Sequence, residues 1–452
     1  MTEIAWLSAK ELGAAYRNGE LSPVIVVQHL LDRISRLDPE LNVFIHLDAN
    51  GALQQARQAE TEIANGHDRG LLHGVPIGIK DIIDVAGLPT TCHSAVLRGN
   101  IAQKDAEAVA RLRAGGAIIL GKVATHEFAI GGPSFDLPFP PARNPWNREH
   151  HPGGSSSGSG AGLAAGFFPL ALGTDTGGSV RNPAGACGVV GLKASYEKIS
   201  RTGVYPLSGT LDHVGPMARH VEDVSLLFDV LTGAPQPTPP NRDIKGLRIG
   251  FVRSFHERDM VAGPDTRAAL EAAADTLLGM GAVVTDIELP PLHDFAVVSR
   301  AILTPEAWAI HGDRMRATPE KYGKLARRRL MVGAFITAES YVWATAMAAR
   351  LKEEVNRAFD SVDVLLTANA MNPACRIDDE EAIARSYFEH ARAPFNITGH
   401  PAISIMCGLS QQRMPIALQL IGPLEREDLI LRAAAAYESV TPWSAMRPPA
   451  MQ

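Results

Sequence analysis

The sequence predicts an α/β protein, a single large α/β/α sandwich around a mixed, mostly parallel and twisted β-sheet. From Leu72 onward, short apolar runs alternate with stretches of helical periodicity, which is typical of this class. Apolar residues make up 46% of the 452 residues, enough for a large core. Strand patterns occur on both sides of Pro235–Pro240, which has the composition of a surface linker. We therefore expect one domain over residues 1–452 with one continuous sheet.

Residues 1–65 are predicted to be helical. Ser8 and Glu11 have the spacing of a capping box, and Ser22-Pro23 is typical of an N-cap followed by proline at the first helical position. A third helix is predicted from about Asn50 to Ile63. The core of the fold is expected over about 70–230, where Asp105 is the predicted cap of a helix that reaches Leu112. The further elements predicted there are strands at Val75–Ile79, Ala117–Leu120 and Leu170–Leu172 and a small-residue helix at Gly160–Phe167.

Residues 245–440 are expected to supply the rest of the sheet and its helical cover. A strand, a helix and a strand are predicted first, then a mainly helical region over 292–360. The chain then returns to strands and closes with a helix from about Glu427. The predicted ranges are 247–252, 265–278 and 283–289 for the first group, and 362–366, 402–405 and 416–421 for the last strands.

Composition and charge exclude several classes of protein. The chain carries 43 Lys+Arg and 49 Asp+Glu, net −6, without a block of like charge, which argues against nucleic acid or a membrane surface as the main partner. The longest apolar run, Ala161–Gly173, is too short to span a bilayer, and the N-terminus lacks the pattern of a secretion signal. The 4 cysteines form no C-x-x-C pair and the 15 histidines no H-E-x-x-H, so no disulfide framework, metal or cofactor is predicted. We expect a cytoplasmic protein.

Two serine-glycine segments are candidate sites. GGSSSGSG at 153–160 is either a flexible linker or the start of a helix whose amides face an anion. It contains G-x-S-x-G over Gly154–Gly158, with Ser156 at the nucleophile position, but no strand pattern precedes it, as a nucleophile elbow requires. GTDTGGS at 173–179 is either an ordinary glycine turn or an oxyanion hole beside Ser179.

Lys80 is the third candidate, because it lies among isoleucines in GIKDII. Burying its charge is costly. Either the side chain reaches solvent or pairs with a carboxylate such as Asp81, or its pKa is lowered and it acts as a base.

Together these segments resemble the amidase signature family over roughly Leu21 to Ala433. The blocks that carry the resemblance are GVPIGIKD, LRAGGAIILGKVATHEFA, the signature at 153–195, FNITGHPAISI and PIALQLIG. The resemblance implies a serine-dependent amide hydrolase with no cofactor and no metal. It assigns the catalytic lysine to Lys80, the bridging serine, whose peptide bond is cis in this family, to Ser155, and the nucleophile to Ser179. The oxyanion amides are assigned to Thr176, Gly177, Gly178 and Ser179.

In the implied mechanism Ser155 passes a proton between Ser179 and Lys80, because a serine hydroxyl needs a base and no histidine is placed to serve. The acyl-enzyme then forms on Ser179. Departures from the family pattern put the subfamily in doubt without touching these three residues. They are Ser157, Gly160, Met406 and Ala368.

Three alternatives stay open at this point. One is the A subunit of a glutamine-dependent tRNA amidotransferase, one is a urethanase-like hydrolase of carbamates or esters on the same fold, and one is a catalytically idle binding protein. The expected partner is a small amide, hydrophobic or aryl amides and carbamates included, and a homodimer is left open. The apolar loop Gly131–Pro141 is expected to line the substrate pocket.

Overall fold

A computed structural model describes residues 4–234 and 240–451, so most of the linker predicted at 235–240 lies outside the described residues. Its strands are β1 Phe44–Leu47, β2 Pro76–Lys80, β3 Ile118–Val123, β4 Leu170–Asp175, β5 Val190–Lys193, β6 His213–Ala218, β7 Arg248–Phe251, β8 Val283–Asp286, β9 Val364–Ala368, β10 Ala402–Leu409 and β11 Pro415–Ile421. Its helices are α1 Ala9–Arg17, α2 Pro23–Leu41, α3 Ala49–Ala64, α4 Glu107–Ala114, α5 Ser157–Ala164, α6 Arg181–Cys187, α7 Val221–Thr232, α8 Pro264–Gly279, α9 Leu292–Ala317, α10 Lys324–Val332, α11 Ala338–Ala358, α12 Glu380–Ser386, α13 Pro394–Ile397 and α14 Glu427–Val440.

Within these ranges the strands form one 11-stranded sheet in the order β1-β3-β2-β4-β6-β5-β10-β11-β9-β7-β8. The predicted α/β class and mixed sheet are confirmed. The expected majority of parallel neighbours is not: among the described strands four neighbouring pairs are parallel and six are antiparallel. The antiparallel pairs concentrate in the middle of the sheet, where five residues connect β10 to β11 and a longer segment connects β5 to β6.

The sheet is covered on both faces. Successive residues of β4 alternate between two apolar clusters, with Leu170 and Leu172 in one and Ala171 in the other. Helix α2 contributes Val26, Val27 and Leu30 to the second cluster. Strands β2, β3 and β4 are buried throughout, which explains their continuous apolar sequences.

Several helix starts follow the predicted sequence signals. Ser8 accepts from the N–H of Glu11 and completes the capping box, and the Ser22 side chain caps α2 with Pro23 at its first position. Asp105, however, is not a cap. Helix α4 begins at Glu107, and the Asp105 carboxylate accepts from the Ala86 N–H and the Arg113 guanidinium instead.

Strand β1 was not predicted, since residues 1–65 read as helical. Its side chains are half-buried at the edge of the sheet, where it pairs antiparallel with β3. A four-residue strand with one neighbour carries too little alternation to be separated from a loop by pattern.

Adjacent parallel strands β2 and β4 place the candidate site. Their carboxyl ends lie at the same edge of the sheet, so Lys80 at the end of β2 comes close to the turn that follows Asp175.

No single helix among the described residues is both long and apolar enough to cross a membrane. The segments Lys324–Phe335 and Ala338–Ala358, bent by 97° at the break between them, reach that length and composition only when taken together.

Candidate active site

Lys80 is fully buried, and its ammonium nitrogen lies between two hydroxyl groups. Nζ is 2.8 Å from Oγ of Ser155 and 2.7 Å from Oγ1 of Thr174. Burial in an apolar wall lowers the pKa of Lys80 to about 7, against the opposing attraction of the Asp175 and Asp212 carboxylates. A lysine with such a pKa is partly neutral near neutral pH and can accept a proton.

The neighbouring Asp81 does not pair with Lys80. Its carboxylate accepts from Nζ of Lys122 at 3.2 Å and from the hydroxyl and N–H of Thr91. Desolvation raises the pKa of Asp81, and Lys122 partly offsets this rise. The buried ion pair in this part of the sheet is therefore Asp81–Lys122, which leaves Lys80 to the two hydroxyl groups.

The first serine-glycine segment is a well-packed loop. The peptide bond between Gly154 and Ser155 is cis, and the carbonyl of Ser155 accepts from the N–H of His126 at 3.0 Å. The His126 ring lies against Gly154 where a Cβ atom would stand, so no larger residue fits there. Asn182 donates from Nδ2 to the carbonyl of Gly154 at 3.1 Å. These contacts hold Ser155, which is 1% exposed, beside Lys80.

Ser156 is a structural residue of this loop. Its fully buried hydroxyl donates to the carbonyl of Thr174 and accepts from the Thr174 N–H, both at 3.2 Å. Its own N–H donates to the carbonyl of Ser179 at 3.2 Å, which ties the two serine-glycine segments together. The loop is not preceded by a strand, so the structure lacks the strand-turn-helix context of a nucleophile elbow.

Asp175 organises the second segment. Its carboxylate accepts from the N–H of Gly178 at 2.7 Å and from the N–H of Val180 at 3.1 Å. It also forms a fully buried ion pair with Arg181 and accepts from Nδ2 of Asn396. The Arg181 charge and the Arg181 and Asn396 hydrogen bonds hold the pKa of Asp175 well below its usual range despite burial.

The turn that ends at Ser179 presents free backbone donors. Within the described residues, the N–H groups of Thr176, Gly177 and Ser179 donate to no protein atom, whereas the Gly178 N–H is held by Asp175. Gly178 has φ of +118°, and the Arg392 side chain fills the space where its Cβ would be, so glycine is required.

Ser179 is half-buried and faces a cavity of about 500 Å³. Gly154 and residues 176–179 form one wall. The opposite wall comes from α9, α10 and the region around α12, and its apolar members include Leu292, Phe295, Leu303, Leu325 and Val332.

The lining corrects one expectation about the substrate pocket. Ala129 and Ile130 line the cavity, but the Gly131–Pro141 loop beyond them does not. That loop packs against the start of α10, where Asp136 accepts from the N–H of Lys324.

Several residues that shape the site were not singled out from the sequence. Thr174, Asp175 and Arg181 lie inside the signature and could have been found there, since a buried Asp and Arg six positions apart suggest a pair. His126 and Asn396 lie in two other blocks that carry the resemblance, but no local spacing links them to the site, and Tyr387 lies outside all of these blocks. The Tyr387 hydroxyl contacts Nδ1 of His126 at 2.8 Å and so supports the ring that packs on Gly154.

One group of side chains in the described residues has the spacing of a metal site: His256, Glu257 and Glu271. None of the three lines the cavity at Ser179. Glu271 is already engaged by both Nε and Nη2 of Arg253, which opposes a bound cation.

The site thus combines a buried lysine, a serine in contact with it and a turn with free amide groups. Comparison with known proteins places the chain in a family. Residues 25–431 match the sequence model of the family described as Amidase, and the chain belongs to this family of enzymes. The chain is 37% identical to the A subunit of the glutamyl-tRNA(Gln) amidotransferase of Roseiflexus castenholzii, over 99% of this chain and 98% of the relative.

Two solved structures of other proteins are similar to this chain in sequence and fold. The native peptide amidase of Stenotrophomonas maltophilia is 29% identical, with a TM-score of 0.85 over 99% of both chains. The A subunit of the glutamyl-tRNA(Gln) amidotransferase of Thermotoga maritima is 28% identical, with a TM-score of 0.79 over 98% of this chain and 97% of that one.

Proposed function

We propose that this protein is a serine amidase that hydrolyses a linear carbon–nitrogen amide bond through an acyl-enzyme on Ser179. The observation that carries the proposal is the 2.8 Å contact between Lys80 Nζ and Ser155 Oγ, in a setting that lowers the pKa of Lys80 to about 7. A neutral lysine hydrogen-bonded to a serine is the proton acceptor that a Ser-Ser-Lys mechanism needs.

In the acylation step the Ser179 hydroxyl oxygen attacks the amide carbon. Its proton passes to Ser155, and the Ser155 proton passes to Lys80. The C–N bond then breaks, and the proton returns along the same path to the leaving amine. Deacylation repeats the sequence with water as the nucleophile, and the products are an acid and an amine or ammonia.

The negative charge on the oxygen of the tetrahedral intermediate is stabilised by the turn that leads to Ser179. We assign the oxyanion donors to the N–H groups of Thr176, Gly177 and Ser179, which have no partner among the described residues. Gly178 contributes differently, because its N–H is held by Asp175 and fixes the shape of the turn. Preformed donors of this kind are typically worth about 10²–10³ in rate each.

The second candidate function is that of an amidotransferase A subunit, which releases ammonia from an amide for a partner protein. The observation that favours it is the 37% identity to such a protein over 99% of the chain. The larger TM-score with the solved peptide amidase, 0.85 against 0.79 for the solved amidotransferase chain, supports the amidase proposal instead.

The experiment that separates the two is an assay of the chain purified alone. The panel consists of acyl p-nitroanilides, free carboxamides, aryl carbamates and glutamine, with a Ser179→Ala variant as the blank. We expect turnover of an anilide or carboxamide by the chain alone. Release of ammonia from glutamine only after partner proteins are added would support the amidotransferase function and overturn the first.

A further inference from the structure

The cavity in front of Ser179 is lined by an excess of positive charge. Four arginines contribute to the lining, Arg300, Arg328, Arg329 and Arg392, and the carboxylate among the lining residues is Glu380. The whole chain has a net charge of −6, so the charge of the cavity lining is opposite in sign to that of the protein as a whole. Walls of one sign raise the local concentration of oppositely charged ligands.

None of these four arginines forms an ion pair within the described part of the chain. Arg300 stacks over the ring of Phe388 at 4.7 Å, and Arg329 over the ring of Tyr387 at 3.8 Å. Arg329 also donates to the carbonyls of Ile130 and Gly131. Neutral partners orient these guanidinium groups and leave their charge uncompensated.

Arg392 is the innermost of the four. It is 2% exposed, its Nη1 donates to the carbonyl of Asn369 at 2.8 Å, and its Nε has no partner. Its side chain lies directly against Gly178 of the turn that leads to Ser179. The charge of Asp175 also acts on Arg392, but Asp175 is ion-paired with Arg181, so two buried arginines share one carboxylate and the position favours an anion.

The solvent exposure of the four arginines decreases from the rim of the cavity to the turn before Ser179. Arg300 and Arg328 are exposed, Arg329 is half-buried and Arg392 is buried. Helix α9, which carries Arg300, also contributes apolar side chains to the lining, namely Leu292, Phe295 and Leu303. The cavity therefore combines a path of positive charge with a surface for an apolar body.

Building on the proposed function, we infer that the substrate is an amide with an apolar body and a carboxylate group, and that Arg392 binds this carboxylate. Arg300 and Arg328 attract it at the rim, and Arg329 lies between the rim and Arg392. The carboxylate is carried by the amine half or by the acyl half of the amide, and two substrate pairs distinguish these sources.

Binding is measured by calorimetry on the full chain with Ser179→Ala, so that the result does not depend on turnover. For the amine half, the pair is 4-(phenylacetamido)benzoate and its neutral N,N-dimethylamide. For the acyl half, the pair is glutaranilic acid and its N,N-dimethylamide. We expect the carboxylate to bind at least about 10-fold more tightly in one pair, with the preference falling as salt increases.

Charge variants then locate the interaction. Arg392→Gln is expected to abolish the preference for the carboxylate, and Arg392→Lys to retain part of it. Arg328→Gln or Arg300→Gln is expected to reduce the preference. Because these two residues are exposed, their variants should not destabilise the fold as a change at a buried site can. Arg327→Gln is the matched control, because it removes one charge from the same helix outside the lining. Each neutral analogue should bind all variants about equally.

Equal binding of acid and neutral analogue in both pairs would overturn the inference, as would an equal loss from Arg327→Gln and Arg328→Gln. The proposed function is tested separately, by hydrolysis of the same four compounds with Ser179 intact. Selective binding without hydrolysis by the chain alone would contradict the amidase proposal and leave the carboxylate inference standing.

Discussion

The carboxylate of Asp175 accepts a 2.7 Å hydrogen bond from the N–H of Gly178, within the turn that carries Ser179. The same carboxylate pairs with the buried guanidinium of Arg181. One side chain thus neutralises a buried cation and sets the backbone that we assign to the oxyanion. Stability and activity are therefore coupled at this residue.

Asp175→Asn is expected to lower both the stability of the fold and the activity. The amide cannot neutralise Arg181, and breaking a buried pair from one side typically costs about 3–5 kcal/mol. The thermal midpoint and kcat/KM measure the two effects. The control is Asp363→Asn, which removes a partly exposed pair with Arg248 and should cost under about 1 kcal/mol. Similar midpoints for the two variants would contradict the role given to Asp175.

The activity should depend on pH through Lys80. Because its pKa is lowered to about 7, the neutral base forms as pH rises, so kcat/KM should increase through pH 7 and then level off.

The stability of the fold should also depend on pH through Lys80. In the unfolded chain the lysine keeps its proton up to about pH 10.5, so its contribution to the free energy of unfolding rises between about pH 7 and pH 10.5. Lys80→Met should remove that rise.

Variants of Lys80 show whether this residue acts as the base or only supports the fold. Lys80→Met and Lys80→Ala should lower kcat/KM by about 10²–10⁴-fold, since they remove the proton acceptor. At pH 7, Lys80→Met should show no large fall in the thermal midpoint, because Asp81 retains Lys122 as its partner. Substantial activity combined with a large fall in the midpoint would refute the assignment of Lys80 as the base.

A fluorophosphonate should label Ser179 and no other serine of the two segments. Ser179 faces the cavity, whereas both hydrogen bonds of the Ser156 hydroxyl are made within the core. Peptide mapping by mass spectrometry locates the adduct. In Ser156→Ala, Ser179 should still be labelled, and the stability should fall by about 1–3 kcal/mol because the buried N–H of Thr174 loses its partner. Label on Ser156 in the unmodified protein would favour the nucleophile-elbow alternative.

Exhaustive chelation should leave kcat and KM unchanged. The proposed base and nucleophile are Lys80 and Ser179, and the described group with metal-ligand spacing, at His256, does not line the cavity. The assay compares dialysed protein with and without EDTA. Activity lost on chelation and restored by zinc would require a different mechanism.

The sequence predicted the parts of this structure that depend on local pattern. The long helices α2 and α8 lie close to their predicted positions, because their apolar periodicity is strong. The buried strands β2 and β4 also lie close to theirs, because each is a short continuous apolar run. The strands β1, β5 and β6 were not predicted. The antiparallel pairing of β5 with β6 was not predicted either, because pairing direction depends on contacts between distant segments.

The candidate site shows the same division. Lys80, Ser155 and Ser179 could be placed because each lies in a compact motif. The link between Tyr387 and His126 joins residues 261 positions apart and leaves no local signal. The choice of Lys122 as the partner of Asp81, over the adjacent Lys80, likewise depends on the register of β2 against β3.

The hydrogen bond from Asn396 to Asp175 spans 221 positions and also has a consequence for biosynthesis. A ribosome makes the three motifs that we propose to be catalytic, the last of which ends at Ser179, more than 200 residues before it adds Arg392 and Asn396. A nascent chain arrested before these residues therefore carries the nucleophile without the support of its turn and should stay unreactive towards fluorophosphonates. Reactivity should appear only after Arg392 and Asn396 have been added and can fold against the turn.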